Sequence, residues 1–277
     1  MIDNRHGRSA DLVRIESALL AAKDLLKRFT PGSIISQRKI NFDPVTEADL
    51  ALDRLLKERL LDVGEGWLSE ETRDDRSRLR RKRVWVVDPL DGTKEFVAGI
   101  PEWCVAVGLV EDGIAVAGGV FNPSAGFLAL GAEGAGCLLN GIGVATSDSA
   151  TLERATILAS RSEVDRGEWE PWIKSGLRVR PMGSVAYKLA RVACGLADAT
   201  WTLVPKNEWD VAAGVALVNA SGGRVVSIDG SEPRFNQTSS LLPGLIASGP
   251  KLFATLTRTL LATDWSQGSI HKGRLPT

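Results

Sequence analysis

Histidine is nearly absent from this 277-residue chain: there are two, His6 and His271, both near its ends. A Ser-His-Asp triad, a histidine general base or a His-ligated zinc centre would have to reach a terminus, which argues against all three. Cysteine is scarce and odd in number, with Cys104, Cys137 and Cys194 scattered. They form neither a disulfide framework nor a CxxC pair, and each reads as a small buried hydrophobe in a reducing compartment, the cytoplasm. No apolar run reaches about 18 residues and the N-terminus is polar, so neither a membrane span nor a signal peptide is expected. Net charge is missing as well, because 34 basic residues balance 34 acidic ones. No global field recruits nucleic acid or an anionic membrane. The local exception is 73–83, with Arg76, Arg78, Arg80, Arg81, Lys82 and Arg83. Asp74 and Asp75 interrupt it and no aromatic is interleaved, so a solvated loop or helix is expected there rather than a nucleic-acid patch.

What is present is hydrophobic periodicity and clustered carboxylate. The length allows one large domain or two small ones. Leu12, Ile15, Leu19, Ala22 and Leu26 recur at steps of three and four, which predicts a helix from near Ser9. Leu52, Leu55, Leu56 and Leu60 predict a second. Residues 67–71 read as a short strand ending in acids, 84–87 as a buried strand, and 105–110 with 114–121 as a hairpin turning at Glu111-Asp112-Gly113. Segments 126–130 and 136–139 extend that antiparallel sheet. From about residue 150 strands and helices alternate: strands at 156–159, 199–203, 224–228 and 245–248, helices at 184–194, 211–220 and 251–261.

The densest chemical signal is Asp88-Pro89-Leu90-Asp91-Gly92-Thr93, which follows the strand Val84-Trp85-Val86-Val87. Pro89 cannot continue a central strand, so a turn is expected there. Two carboxylates three apart repel unless a cation lies between them, and hard cations such as Mg²⁺ prefer oxygen ligands. A plain Asp-Gly turn is the competing reading. Three further acidic spots lie at element ends: Asp43/Glu47/Asp49, Glu70/Glu71 and Asp210. Asp210 has its own competing reading as a helix N-cap.

In combination these segments resemble the lithium-sensitive inositol monophosphatase superfamily. The match runs in order from Asp43-Pro44-Val45-Thr46-Glu47-Ala48-Asp49 through Leu68-Ser69-Glu70-Glu71 and Trp85-Val86-Val87-Asp88-Pro89-Leu90-Asp91-Gly92-Thr93. It continues with Gly183-Ser184 and Glu208-Trp209-Asp210-Val211-Ala212-Ala213-Gly214. The resemblance implies two or three Mg²⁺ ions held by Glu70, Asp88, Asp91, Asp210 and the Leu90 carbonyl. It implies that Asp49 holds the Thr93 hydroxyl, that Thr93 orients the attacking water, that Glu70 acts with them, and that no phosphoenzyme forms. Gly92, Thr93, Lys94, Gly183, Ser184, Lys206 and Glu208 become the substrate-binding candidates. The implied fold is α/β, an alternating α-β-α-β-α sandwich of the inositol monophosphatase and fructose-1,6-bisphosphatase type. Residues 1–149 would supply a helix pair and an antiparallel sheet with most ligands. Residues 150–277 would supply an α/β half with Asp210 and substrate contacts, the whole forming one catalytic unit. A homodimer is common among such proteins.

The chemistry agrees with the composition. Phosphate monoesters hydrolyse very slowly unaided, and metal ions can clamp their oxygens and activate water without histidine. Gly92-Thr93-Lys94-Glu95-Phe96 resembles the branch acting on 3′(2′)-phosphoadenosine 5′-phosphate, so the expected activity is a 3′(2′),5′-bisphosphate nucleotidase. Inositol 1-phosphate and sugar bisphosphates are the alternative substrates, all small and phosphorylated. A catalytically silent metal- or nucleotide-binding protein is the reading from another class, and the intact acidic set speaks against it. Lys206 departs from the nucleotidase pattern and is a candidate for the substrate's distal group. Trp103, Trp201 and Trp209 read as core residues before base-stacking ones.

Overall fold

The computed structural model describes residues 5–33, 37–38 and 44–261. Asp43 and His271 lie outside them, and His6 is described in backbone alone. Helix α1 (Arg5–Leu26) and helix α2 (Glu47–Leu60) pack side by side. A seven-stranded sheet follows: β1 (Gly66–Ser69), β2 (Arg83–Asp91), β3 (Cys104–Glu111), β4 (Ile114–Asn122), β5 (Phe127–Ala132), β6 (Gly136–Leu139) and β7 (Ile142–Val144). They lie in chain order, β1 parallel to β2 and the rest antiparallel. A short helix α3 (Thr93–Ala98) leaves the end of β2.

The second sheet uses β8 (Thr156–Ser160), β9 (Arg178–Met182), β10 (Ala199–Thr202), β11 (Arg224–Ser227) and β12 (Leu245–Ser248), in the order β9-β8-β10-β12-β11. Its helices are α4 (Arg161–Asp165), α5 (Glu170–Lys174), α6 (Val185–Ala193), α7 (Glu208–Ala220) and α8 (Pro250–Leu261). The layers alternate as expected. Ile15, Leu19, Leu52 and Leu56 of α1 and α2 bury against Trp85, Val87, Val105 and Val107. The other face of the same strands, through Val84, Val86 and Ala106, packs on α6 and α7. Beyond these, Leu158 and Ala247 face the middle layer, while Ile157, Trp201 and Ile246 face α8, Trp169 and Trp172. Both faces of each sheet are covered, which is why 84–87 reads as an unbroken apolar run rather than an alternating one.

The middle layer is thin because small residues meet there. A Cβ on Gly118 would sit 2.5 Å from the Ala213 carbonyl oxygen, and one on Gly108 2.9 Å from the Ala212 Cβ. Glycine at those two places lets α7 lie directly on β3 and β4, and so fixes Asp210 near the end of β2.

One expectation is overturned, one competing reading falls, and one expectation holds except at a single residue. The strand through Asp88 does not stop at Pro89; β2 runs on to Asp91, and the chain turns at Gly92, whose φ is +95°. Pro89 is tolerated because the ladder to β3 is irregular there: Asp88 pairs with Ala106 and Asp91 with Cys104. Asp210 is not an N-cap. Helix α7 starts earlier than the apolar pattern, with Asn207 as its cap and Asp210 in the first turn. Within 73–83, Arg78 is buried, donating to Asp74, to the Asn236 side chain and to the Gln237 carbonyl. One arginine of the basic run is therefore a clamp on the 236–237 loop, while Arg76, Arg80, Arg81 and Lys82 are exposed.

Candidate metal centre and active site

The bulge in β2 makes the centre. Side chains three apart on a regular strand point to opposite faces. Here three steps on β2 oppose two on β3, so the extra residue turns Asp88 and Asp91 toward one cavity. Glu70 arrives from just past the end of β1, and Asp210 from the first turn of α7. One carboxylate oxygen from each of Glu70, Asp88 and Asp210 lies within 4.8 Å of the others. Asp91 is oriented from the opposite side: its Oδ2 accepts from the Ser184 hydroxyl (2.7 Å) and the Ala186 N–H (2.6 Å). Ser184 sits at φ +58°, unusual for a residue with a side chain, and its Oγ also accepts from the Tyr187 N–H.

Asp49 and Asp210 are placed by the same local device. Each is the third residue of its helix and reaches back with Oδ2 to the cap residue's N–H: Asp49 to Thr46 (2.8 Å) and Asp210 to Asn207 (2.9 Å). In Asp49 this leaves Oδ1 facing the Thr93 hydroxyl, 3.1 Å away. That hydroxyl also lies 3.0 Å from the Leu90 carbonyl.

The cavity measures about 280 Å³ and is lined by Glu70, Asp88, Leu90, Asp91, Asp210 and Gly92-Thr93-Lys94-Glu95, and by Gly183, Ser184, Lys188 and Lys206 with Ser160-Arg161-Ser162. Eleven of the residues proposed from sequence therefore meet at one wall or another: Glu70, Asp88, Leu90, Asp91, Gly92, Thr93, Lys94, Gly183, Ser184, Lys206 and Asp210. Glu71 is not part of this lining. Glu208 is turned away from it. Its fully buried carboxylate accepts from the N–H groups of Asn236 (2.7 Å) and Gln237 (2.9 Å). Two positions along a helix are about 200° apart, so Glu208 and Asp210 face opposite ways. Among the described residues no tryptophan lines the cavity. Trp103 packs edge-on against Phe96, and Trp201 edge-on against Trp172.

Sequence reasoning missed Lys188 and Arg161, and it read Glu95 only as a clue to the substrate branch. Arg161 is held by Glu102, which also accepts from the Gly183 N–H at 2.9 Å. A signal for Lys188 existed, since it interrupts the apolar run Val185-Ala186-Tyr187-Lys188-Leu189-Ala190.

Charge at the centre is unbalanced. Burial, then the like charges of Glu70, Asp91 and Asp210, push the Asp88 carboxyl well above the usual range. Burial, then Asp91 and Glu70, push Asp210 up to about 8. Burial raises Asp91 too, opposed by its hydrogen bonds to Ser184 and Ala186 and by Lys188. Converging buried carboxylates that resist ionisation are a fit for a hard divalent cation, whose charge makes their ionised forms favourable.

Comparison with known proteins agrees with this donor set. Residues 9–263 match the model of the inositol monophosphatase family.

The chain belongs to the inositol monophosphatase family.

It is a Mg²⁺-dependent phosphatase. Among its relatives, inositol monophosphatase 2 of Solanum lycopersicum is 33% identical over 233 residues, 79% of this chain and 88% of that protein. The fructose-1,6-bisphosphatase/inositol-1-monophosphatase of Thermotoga maritima is 32% identical over 218 residues, 76% and 82% of the two chains. The crystal structure of the extragenic suppressor protein suhB from Bartonella henselae superposes with a TM-score of 0.77 at 26% identity, covering 91% of this chain and 98% of that one. The five-layer arrangement is thus that of the family. Among the described residues no helix is long and apolar enough to cross a membrane.

Proposed function

We propose that this family member removes one phosphate from a small bisphosphate, with adenosine 3′,5′-bisphosphate as the first candidate and AMP and phosphate as products. The observation that carries the proposal is the mixed lining of a single cavity. Glu70, Asp88, Asp91 and Asp210 gather with Thr93, and Lys94, Arg161, Lys188 and Lys206 line the same space. That is more cationic side chains than one phosphate already facing metal ions requires. The resemblance of Gly92-Thr93-Lys94-Glu95-Phe96 to the nucleotidase branch supports the nucleotide. Among the described residues no aromatic side chain lines the cavity, so recognition would rest on phosphates rather than on base stacking.

In this proposal Glu70, Asp88, Asp91, Asp210 and the Leu90 carbonyl hold two or three Mg²⁺ ions. When bound, Mg²⁺ supplies charge for the phosphate oxygens and makes water a better nucleophile. The protein's own part is to aim that water. Thr93 has one hydroxyl hydrogen, which it donates to Asp49 Oδ1 or to the Leu90 carbonyl. Either choice leaves the oxygen's lone pairs free to accept from a water and fix its direction. Asp49 is kept in place by Thr46, whose N–H and hydroxyl both donate to Oδ2, the latter at 2.6 Å. Gly92 and Gly183 allow close backbone approach. A Cβ on Gly183 would fall 2.4 Å from Glu95, and one on Gly92 3.0 Å from the Glu102 carbonyl.

Inositol 1-phosphate is the second reading, favoured by the activity for which the tomato and Thermotoga relatives are named. A phosphate-release panel with Mg²⁺ separates the two. Adenosine 3′,5′-bisphosphate is expected to turn over faster than inositol 1-phosphate or fructose 1,6-bisphosphate, and millimolar lithium is expected to slow it. Hydrolysis of inositol 1-phosphate with none of the nucleotide would overturn the first reading.

A further inference from the structure

Lys188 is a buried cation in the cavity wall. It is 4% exposed and lies in the first turn of α6, a place where the helix favours anions over cations. Its Nζ donates to the Ser184 carbonyl (2.9 Å) and the Met182 carbonyl (3.3 Å). An ammonium has three hydrogens, so one donor is left for the cavity that Lys188 lines. No carboxylate of the described residues forms an ion pair with it, and Lys206 adds a like charge nearby. Burial pulls Lys188 down to about 8, opposed first by the charge of Asp91 and then by Glu163 and Glu95. Lys206 is steadied from behind by Glu163, 3.8 Å away. Glu163 is itself buried and fixed by the Thr202 hydroxyl (2.8 Å) and the Trp169 indole N–H (3.1 Å). Two lysines from separate elements, both tied down, thus face one space.

A buried cation with no carboxylate in contact is costly, and an anion joining it in the cavity offsets that cost. The phosphate under attack must lie against the cluster of Glu70, Asp88 and Asp210 and the Thr93 hydroxyl. A lysine within that cluster would repel the Mg²⁺ the carboxylates gather. We propose that Lys188, with Lys206 beside it, is the specificity residue that binds the second phosphate of a bisphosphate substrate, the one that is not hydrolysed. The inference rests on the bisphosphate reading above and extends to either carrier of that phosphate, a nucleoside or a sugar.

The test compares substrates that differ in the second phosphate alone: adenosine 3′,5′-bisphosphate with adenosine 3′-monophosphate, and fructose 1,6-bisphosphate with fructose 1-phosphate. Wild-type enzyme, Lys188→Met and Lys188→Gln are assayed with Mg²⁺, with folding followed by circular dichroism and Tm. The ratio of kcat/KM for bisphosphate over monophosphate is expected to fall about 10- to 100-fold in both variants, chiefly through KM. Equal losses on both members of a pair would overturn the inference, because Lys188 would then serve the scissile phosphate or the fold. Hydrolysis of the sugar pair alone, with the ratio falling, would remove the nucleotide reading and leave the Lys188 inference standing. Hydrolysis of the nucleotide with an unchanged ratio would do the reverse. A wild-type readout covers variants that do not fold. The product that keeps the second phosphate, AMP or fructose 6-phosphate, must inhibit more strongly than adenosine or fructose, and equal inhibition would overturn the inference.

Discussion

Asp91 does two things with one carboxylate. One oxygen ties it to the start of α6 through Ser184 and Ala186, and the side chain lines the metal cavity. Asp91→Asn keeps the shape and an oxygen acceptor while removing the charge. It is expected to lower kcat/KM by at least about 100-fold, with a Tm equal to or above that of the wild type, since one of four repelling carboxylates is neutralised. A normal rate would sink the metal-clamp mechanism. Thr93→Val removes the hydroxyl that meets Asp49 and preserves the branched shape. Its kcat is expected to fall by about 100- to 10,000-fold, whereas Thr93→Ser should keep most of the rate. If Val and Ser variants behave alike in steady-state assays, the hydroxyl does not direct the water.

Elements decide where these residues meet. The sequence showed the apolar strand before Asp88 and the helical stripes of α1 and α2, because both depend on periodicity alone. It did not show that β2 continues through Pro89, because that depends on the extra residue opposite Ala106 and Cys104. Nor did it show Asp210 as a first-turn residue, although Asn207-Glu208-Trp209-Asp210 has the same cap-to-third-residue spacing as Thr46-Glu47-Ala48-Asp49. The close seat of α7 gives a direct test. In Gly118→Ala the new methyl carbon would stand 2.5 Å from the Ala213 oxygen, so α7 must shift. The expected cost is roughly 1–3 kcal/mol by denaturant unfolding. Activity should fall with it, because α7 carries Asp210. A variant as stable and active as the parent would show that the sheet and helix have slack there.

Over the whole molecule, the acidic centre links stability to pH. Asp210 ionises near 3.8 in the unfolded chain and near 8 in the fold. Between those values the folded state holds a proton the unfolded state has lost. Stability therefore falls as pH rises, and the contribution present below pH 3.8 is gone once pH passes about 8. Asp88 and Asp91 shift in the same direction. With EDTA present, Tm is expected to decline from pH 5 to pH 8, on the order of the interval these groups titrate. Saturating Mg²⁺ should flatten that decline, since bound cation replaces the protons. A Tm that rises with pH in EDTA would mean these carboxylates are not the buried, mutually repelling set described here.

The sequence alone determined the acidic motifs, their order along the chain and the chemistry such oxygens serve, because ligand type is a property of the residue. Periodicity determined most strands and helices, because it records which faces are covered. The meeting of Glu70, Asp88, Asp91 and Asp210 was decided in three dimensions, by a bulge and by a helix seated on glycine. So was the turning away of Glu208, two residues from Asp210 yet on the opposite side of α7. Lys188 belongs with these. Within the sequence it is a lysine in an apolar helix, and only the packed cavity gives its charge something to face.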